Sequence, residues 1–158
     1  MQSKLGIVVV VGTILLLGTS RPPRATPPTP PTDACALLTQ AQVIAVLGVS
    51  VGPGQALMTK ICKWSEPVRP GAPAKRVMVN LINPQAFVYA KTPVGNGIIK
   101  TEVSGIGEDA VYVSAPREPT TLTVKKGAAA FTVTVIGFSD DQTKAKEKTL
   151  ALDIIAKL

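Results

Sequence analysis

Between residues 21 and 32 the chain reads RPPRATPPTPPT, and this run limits where a fold can form. Six of its twelve residues are proline. Each proline fixes its own φ, lacks the N–H that a helix or sheet ladder needs, and pushes its predecessor towards extended backbone. The run therefore favours polyproline II over helix or sheet. Packed structure is confined to residues 33–158, a stretch of 126 residues that is one ordinary domain with enough chain for a single core. At about 3.1 Å per residue, the run is a spacer able to hold that domain roughly 35–40 Å from an anchor. By composition, its threonines are candidate acceptors of O-linked sugars.

Upstream of the spacer, Lys4 precedes an uncharged apolar run over residues 5–17, followed by Gly18-Thr19-Ser20. This is the three-part pattern of an export signal. The apolar run has the length of a signal core and falls short of the roughly 20 residues of a spanning helix. Residues 1–20 thus read as a signal peptide cleaved after Ser20, with an uncleaved anchor as the alternative, because Arg21 and Arg24 place charge on the outer flank. Lipid attachment would need a cysteine after Leu16-Leu17-Gly18, and Thr19 stands there. The expected location is outside the cytoplasm: secreted, periplasmic or held at the cell surface.

The domain carries two cysteines, Cys35 and Cys62, and an even count in an exported chain reads most simply as a disulfide. Free thiols or a metal site are the alternatives. With no histidine in the chain, tetrahedral zinc would need two carboxylates beside the two thiolates. A bridge closing about 28 residues contributes on the order of 3.5 kcal/mol in the chain-entropy picture. Of the net charge of +7, Lys4, Arg21 and Arg24 lie outside the domain, which keeps 14 basic and 10 acidic residues and is mildly basic at +4.

Hydrophobic periodicity and breakers divide the domain. A short helical turn is expected over 33–38, then a helix opened by the T-x-x-Q capping box Thr39–Gln42 and closed by Gly48. Residues 55–64 read as one strand and residues 75–82 as another, with Val77, Val79 and Leu81 on one face. A helix is predicted over 84–91, capped by Asn83 with Pro84 in its first turn. A tight turn is expected at Asn96-Gly97 and a strand over 110–113. Leu122 and Val124, a turn at Lys126-Gly127, and Phe131, Val133 and Val135 form the clearest hairpin. A last helix starts at a second capping box, Ser139–Gln142, and carries the stripe Leu150, Ala151, Ile154, Ile155 and Leu158. Strands bracketed by helices, without strict alternation, indicate an α+β fold: a mainly antiparallel sheet packed by an N-terminal helix pair and a C-terminal helix.

Few residues carry chemistry. Gly105-Ile106-Gly107-Glu108-Asp109-Ala110 fits the G-x-G-x-x-G/A pattern of dinucleotide sites. That reading needs a strand before it and a helix after it, yet the following residues are β-like and two acids occupy the phosphate position. Gly105 and Gly107 are therefore assigned to a structural turn, and no cofactor is expected. Trp64 lies two residues beyond Cys62, so strand alternation puts both on one face; packing near the disulfide is the default and a stacking platform for a ligand is the sharper alternative. Lysines 125, 126, 144, 146 and 148 suggest a basic patch, but six aromatics in the whole chain leave specific nucleic-acid binding unsupported. The absence of histidine removes the commonest general base. Catalysis would rest on a serine such as Ser65 with a lysine, or on a carboxylate pair such as Glu66 with Glu108.

The segments DACALLTQAQVIAVLG, CKWS and GIGEDAVYV, in this order over residues 33–113, resemble a family of exported actinobacterial proteins of unknown function, many of them lipoproteins. The resemblance implies a Cys35–Cys62 bridge and a structural role for Gly105 and Gly107, and it brings no catalytic residue. Thr19, in place of a lipidated cysteine, departs from many members. Together these readings describe an exported, non-enzymatic binding or interaction module whose partner is an envelope protein or polymer. The alternative is a cell-envelope hydrolase, and contact with membrane is expected only through an uncleaved N-terminal anchor.

Overall fold

In the computed structural model, residues 29–71, 73–92, 95 and 97–158 are described. The signal segment, most of the spacer and Asn96 of the expected turn lie outside the described residues. Among those described, no helix is long and apolar enough to cross a membrane.

A single 3-10 turn, Ala34–Ala36, is capped by Asp33, whose carboxylate accepts the Cys35 N–H at 2.8 Å. The expected N-terminal helix pair is thus one short turn and one helix, α1 (Gln40–Leu47). Three residues give no room for a full α-turn before Thr39 takes extended backbone to start α1. The Thr39 box forms as expected: Thr39 Oγ1 accepts the Gln42 N–H, and Gln42 Oε1 accepts the Thr39 N–H. Gly48 ends the helix in the left-handed region.

The stretch expected as one strand over 55–64 folds back on itself as β1 (Gln55–Met58) and β2 (Ile61–Ser65). The reversal at Thr59-Lys60 contains neither glycine nor proline, so no breaker marks it. It is fixed from outside: Lys60 O accepts the Leu81 N–H at 2.8 Å. Then come β3 (Arg76–Ile82), α2 (Pro84–Lys91), β4 (Ile99–Glu102), β5 (Asp109–Ser114), β6 (Thr121–Lys126), β7 (Ala129–Ile136) and α3 (Asp140–Ile155).

All seven strands form one antiparallel sheet in the order β1-β2-β3-β7-β6-β5-β4. After β3, α2 carries the chain across the sheet to its far edge. From there β4 to β7 meander back, and β7 pairs with β3 from Arg76↔Ile136 to Ile82↔Ala130.

Strand alternation divides the buried side chains between two faces. On one face Cys62, Trp64, Val77, Val79, Leu81, Leu122, Val124, Phe131, Val133 and Val135 meet Val43 and Leu47 of α1 and Leu150, Ala151 and Ile154 of α3. On the other, Phe87 of α2 packs on Val111 and Ala130. The main core therefore lies beneath α1 and α3, and α2 covers only part of the second face. Cys35 is bonded to Cys62 with the Cα atoms 5.0 Å apart, tying the 3-10 turn to β2 inside that core.

The α3 start differs from expectation. Ser139 occupies the N-cap position but its side chain makes no cap bond. Asp140, inside the first turn, accepts from Thr120 Oγ1 at 3.0 Å and from Lys144 Nζ at 2.6 Å. That anchorage to the β6 side, together with the acids Asp140 and Asp141 at the positive end of the helix dipole, replaces the predicted box.

Candidate functional site

The half-covered face holds a concavity of mixed chemistry, a pocket of about 430 Å³ between α2 and the β5–β6 ladder. Its position follows from how α2 is built. Asn83 Oδ1 accepts the Gln85 N–H at 2.9 Å and Pro84 fills the first turn, so the helix starts directly off β3. Phe87, 3 % exposed, is its anchor; Val88, one residue on, faces outward at 57 % exposure. At the other end, Lys100 of β4 donates to Tyr89 O at 3.0 Å and to Thr92 O, a cation on the carbonyls that end the helix.

The rim is ionic. Lys91 Nζ lies 2.9 Å from Glu102 Oε1 and 2.9 Å from Asp109 Oδ2, and those two carboxylates hold its ammonium above the usual lysine range. Lys125 stands opposite Asp109 in the β5–β6 register and also lines the pocket. Apolar Pro84, Phe87 and Val88 thus adjoin Gln85, Thr92, Lys91, Lys125 and Asp109. This lining suits a ligand with an apolar group flanked by hydrogen-bonding or charged groups. It does not suit proton transfer. Lys91 is stabilised as the cation, whereas a lysine acting as base must be shifted downward, and the Asp109 carboxylate is occupied by Lys91.

The expected site residues fall as follows. Cys35 and Cys62 are joined. Trp64 is 1 % exposed, so the stacking-platform alternative is corrected: a Cβ on Gly54, the residue just before β1, would lie 2.9 Å from the indole, so the backbone there closes over the ring. Gly105 and Gly107 both take positive φ, at +78° and +61°. A Cβ on Gly107 would stand 2.5 Å from Lys125 O, so this glycine serves a close approach to β6, while Gly105 has open space around it. Between them Ile106 is 1 % exposed, and Glu108 ties the loop to the next hairpin by donating its N–H to Lys125 O and accepting the Gly127 N–H on Oε1. The segment leads into β5 and not into a helix, which removes the geometry a dinucleotide needs.

Glu66 and Glu108 are not brought together. β2 and β5 are four strand spacings apart, about 19 Å at ~4.8 Å per spacing. Glu66 Oε1 instead pairs with Arg69 at 3.3 Å, and Ser65 stands opposite Arg76 on β3. The five lysines do not form one patch either. Lys144 is bonded to Asp140, Lys146 donates to Val46 O and lies 4.7 Å from the Phe138 ring, and Lys125 and Lys126 line separate pockets.

Sequence reasoning missed Glu147, on α3 and 0 % exposed. Its Oε1 accepts the Val135 N–H at 2.9 Å, one residue beyond the last β6–β7 pairing, Thr121↔Thr134. Its Oε2 has no hydrogen-bond partner among the described residues. Burial pushes its carboxyl up to about 8; the Val135 N–H and Lys144 act in the opposite direction, and nearby Asp140 adds to the rise. Tyr112, whose hydroxyl donates to Lys144 O at 2.7 Å, is pushed up to about 12 by burial and by Glu147. This carboxyl is sealed in the core, out of reach of a substrate.

Comparison with protein-family models, curated proteins and solved structures finds no match to this chain.

Proposed function

We propose that this chain is an exported, non-enzymatic binding module that takes an envelope protein or polymer at the α2 pocket. The observation that carries the reading is the pocket's composition: an apolar floor whose ionic rim is held in its charged state. The signal-like N-terminus, the proline spacer, the disulfide and the resemblance to exported actinobacterial proteins support the location. A bridge is compatible with an extracellular protein. Support for the hydrolase alternative is weaker, because its carboxylate pair is split across the sheet.

The test is site-specific photocrosslinking of the full chain in intact cells, with the probe at Val88 on the pocket or at Met58 on the opposite edge. A defined adduct is expected from Val88 only, and Lys125→Glu should reduce it several-fold. Equal labelling from both positions, or turnover of ester or peptidoglycan substrates by the purified chain, would overturn the proposal.

A further inference from the structure

β4 ends the sheet on the side where α2 sits, so one row of its backbone groups has no strand partner among the described residues. The ladder identifies them. Val103 N–H donates to Ala110 O at 3.0 Å, which makes those residues a hydrogen-bonded pair. Such pairs alternate with non-bonded ones in antiparallel ladders. In the register Ile99↔Ser114, Lys100↔Val113, Thr101↔Tyr112, Glu102↔Val111, the groups turned towards β5 belong to Ile99 and Thr101. The N–H and C=O of Lys100 and Glu102 point outward.

The residues on this edge are self-complementary. Rotated end for end about Thr101, Ile99-Lys100-Thr101-Glu102-Val103 places Ile on Val and Lys on Glu, both in duplicate. We propose that β4 pairs antiparallel with β4 of a second copy of this chain, centred on Thr101, continuing the sheet across a twofold axis. Lys100 and Glu102 of the two copies then form two hydrogen-bonded pairs that exchange four backbone bonds. The opposite charges come to lie side by side on the α2 side, where Lys100 exchanges its bonds to Tyr89 O and Thr92 O, and Glu102 its contact with Lys91, for a cross-strand pairing, and Ile99, 65 % exposed in the single chain, covers Val103 of the other copy. The same patch meets itself, as a twofold interface requires.

The other edge offers no such match. β1 has an irregular register between Ala56 and Met58, and a bulge of this kind blunts an edge. β4 pairs regularly along its whole length, and its charges, which on most edges prevent pairing, are arranged here so that each meets its opposite.

A ladder this short buries far less than the ~1,600 Å² of a standard interface, so the association is weak and is best read by covalent trapping. Thr101 and its counterpart form a non-bonded pair with Cα atoms about 4.5 Å apart, within the span of a disulfide. In the full oxidised chain, Thr101→Cys should form a covalent dimer at least ten-fold faster than Met58→Cys, a control that is 68 % exposed on β1. Adding Glu102→Lys, which sets Lys against Lys, should slow trapping at least ten-fold, and Lys100→Glu with Glu102→Lys should restore it. Peptide mapping must show Cys35–Cys62 intact in each case. Trapping of Thr101→Cys no faster than Met58→Cys overturns the proposal outright. So does a charge-reversed pair that keeps its melting transition yet stays slow.

Discussion

Glu147 is the residue whose environment departs furthest from its sequence neighbourhood. It stands among Lys146, Lys148 and Lys144, which in isolation describe a solvated helix face. The fold instead turns it inward with Thr143, Leu150, Ala151 and Ile154. The signal was present: running the Leu150–Ile154 stripe back by helical spacing lands on Glu147 and Thr143. What the sequence lacked was the reason to bury a carboxyl, the Val135 N–H that lies one residue past the pairing at which β6 begins. The consequence is a pH dependence. The unfolded chain ionises near the ordinary value of 4.5, whereas the folded state keeps the proton up to about 8. Between those values the folded state binds more protons, so the contribution of Glu147 to stability is greatest below about 4.5, falls as pH rises to about 8, and is level above that. The loss is on the order of a few kcal/mol. Urea midpoints at pH 5 and pH 8.5 should show it, and Glu147→Gln, which keeps the acceptor for Val135, should flatten most of it. An unchanged slope in the variant would refute this account.

At the scale of elements, the two capping boxes read alike in sequence and behave differently. Thr39 makes reciprocal bonds with Gln42, and Ser139 makes none. Local chemistry was enough for α1: Gln42 Oε1 also accepts from the distant Lys157 Nζ at 3.4 Å, yet keeps the Thr39 N–H at 2.9 Å. At α3, Thr120 comes from the other side of the hairpin to bind Asp140, a contact invisible to any local pattern. Thr39→Ala should therefore cost about 1 kcal/mol, and Ser139→Ala less than about 0.5 kcal/mol, both measured as shifts in urea midpoint at constant slope. Equal losses would show that the side-chain bonds do not govern the two ends. The same division explains the strands. Alternation revealed the inward faces of β3, β6 and β7, but at the β1–β2 reversal, Thr59-Lys60, Lys60 O meets Leu81 of the neighbouring strand β3, a contact no local pattern shows.

For the molecule as a whole, the sequence indicated an α+β fold with an antiparallel sheet but not the partner of each strand. β3 is followed by α2, yet its second neighbour is β7, reached only after the meander returns from the far edge. The α2 pocket was illegible for the same reason, since Lys91 and Asp109 become neighbours only once that crossing is made. The disulfide, by contrast, was legible, and its position determines how it acts. It links residues 27 apart, both near the start of the domain, and leaves the β4–β7 meander outside its loop. It should therefore stabilise mainly by restricting the unfolded chain, by ~3.5 kcal/mol. At a urea slope of ~1–3 kcal/mol/M, Cys35→Ala with Cys62→Ala should lower the midpoint by roughly 1–3 M while the sheet still forms. The two sulfurs differ in access, since Cys62 is 0 % exposed whereas Cys35 is only half-buried, so a thiol reductant under native conditions should attack at the Cys35 sulfur and the cleavage rate should rise in proportion to reductant concentration. A rate that instead reaches a plateau would mean that both sulfurs are sealed until the region around β2 opens.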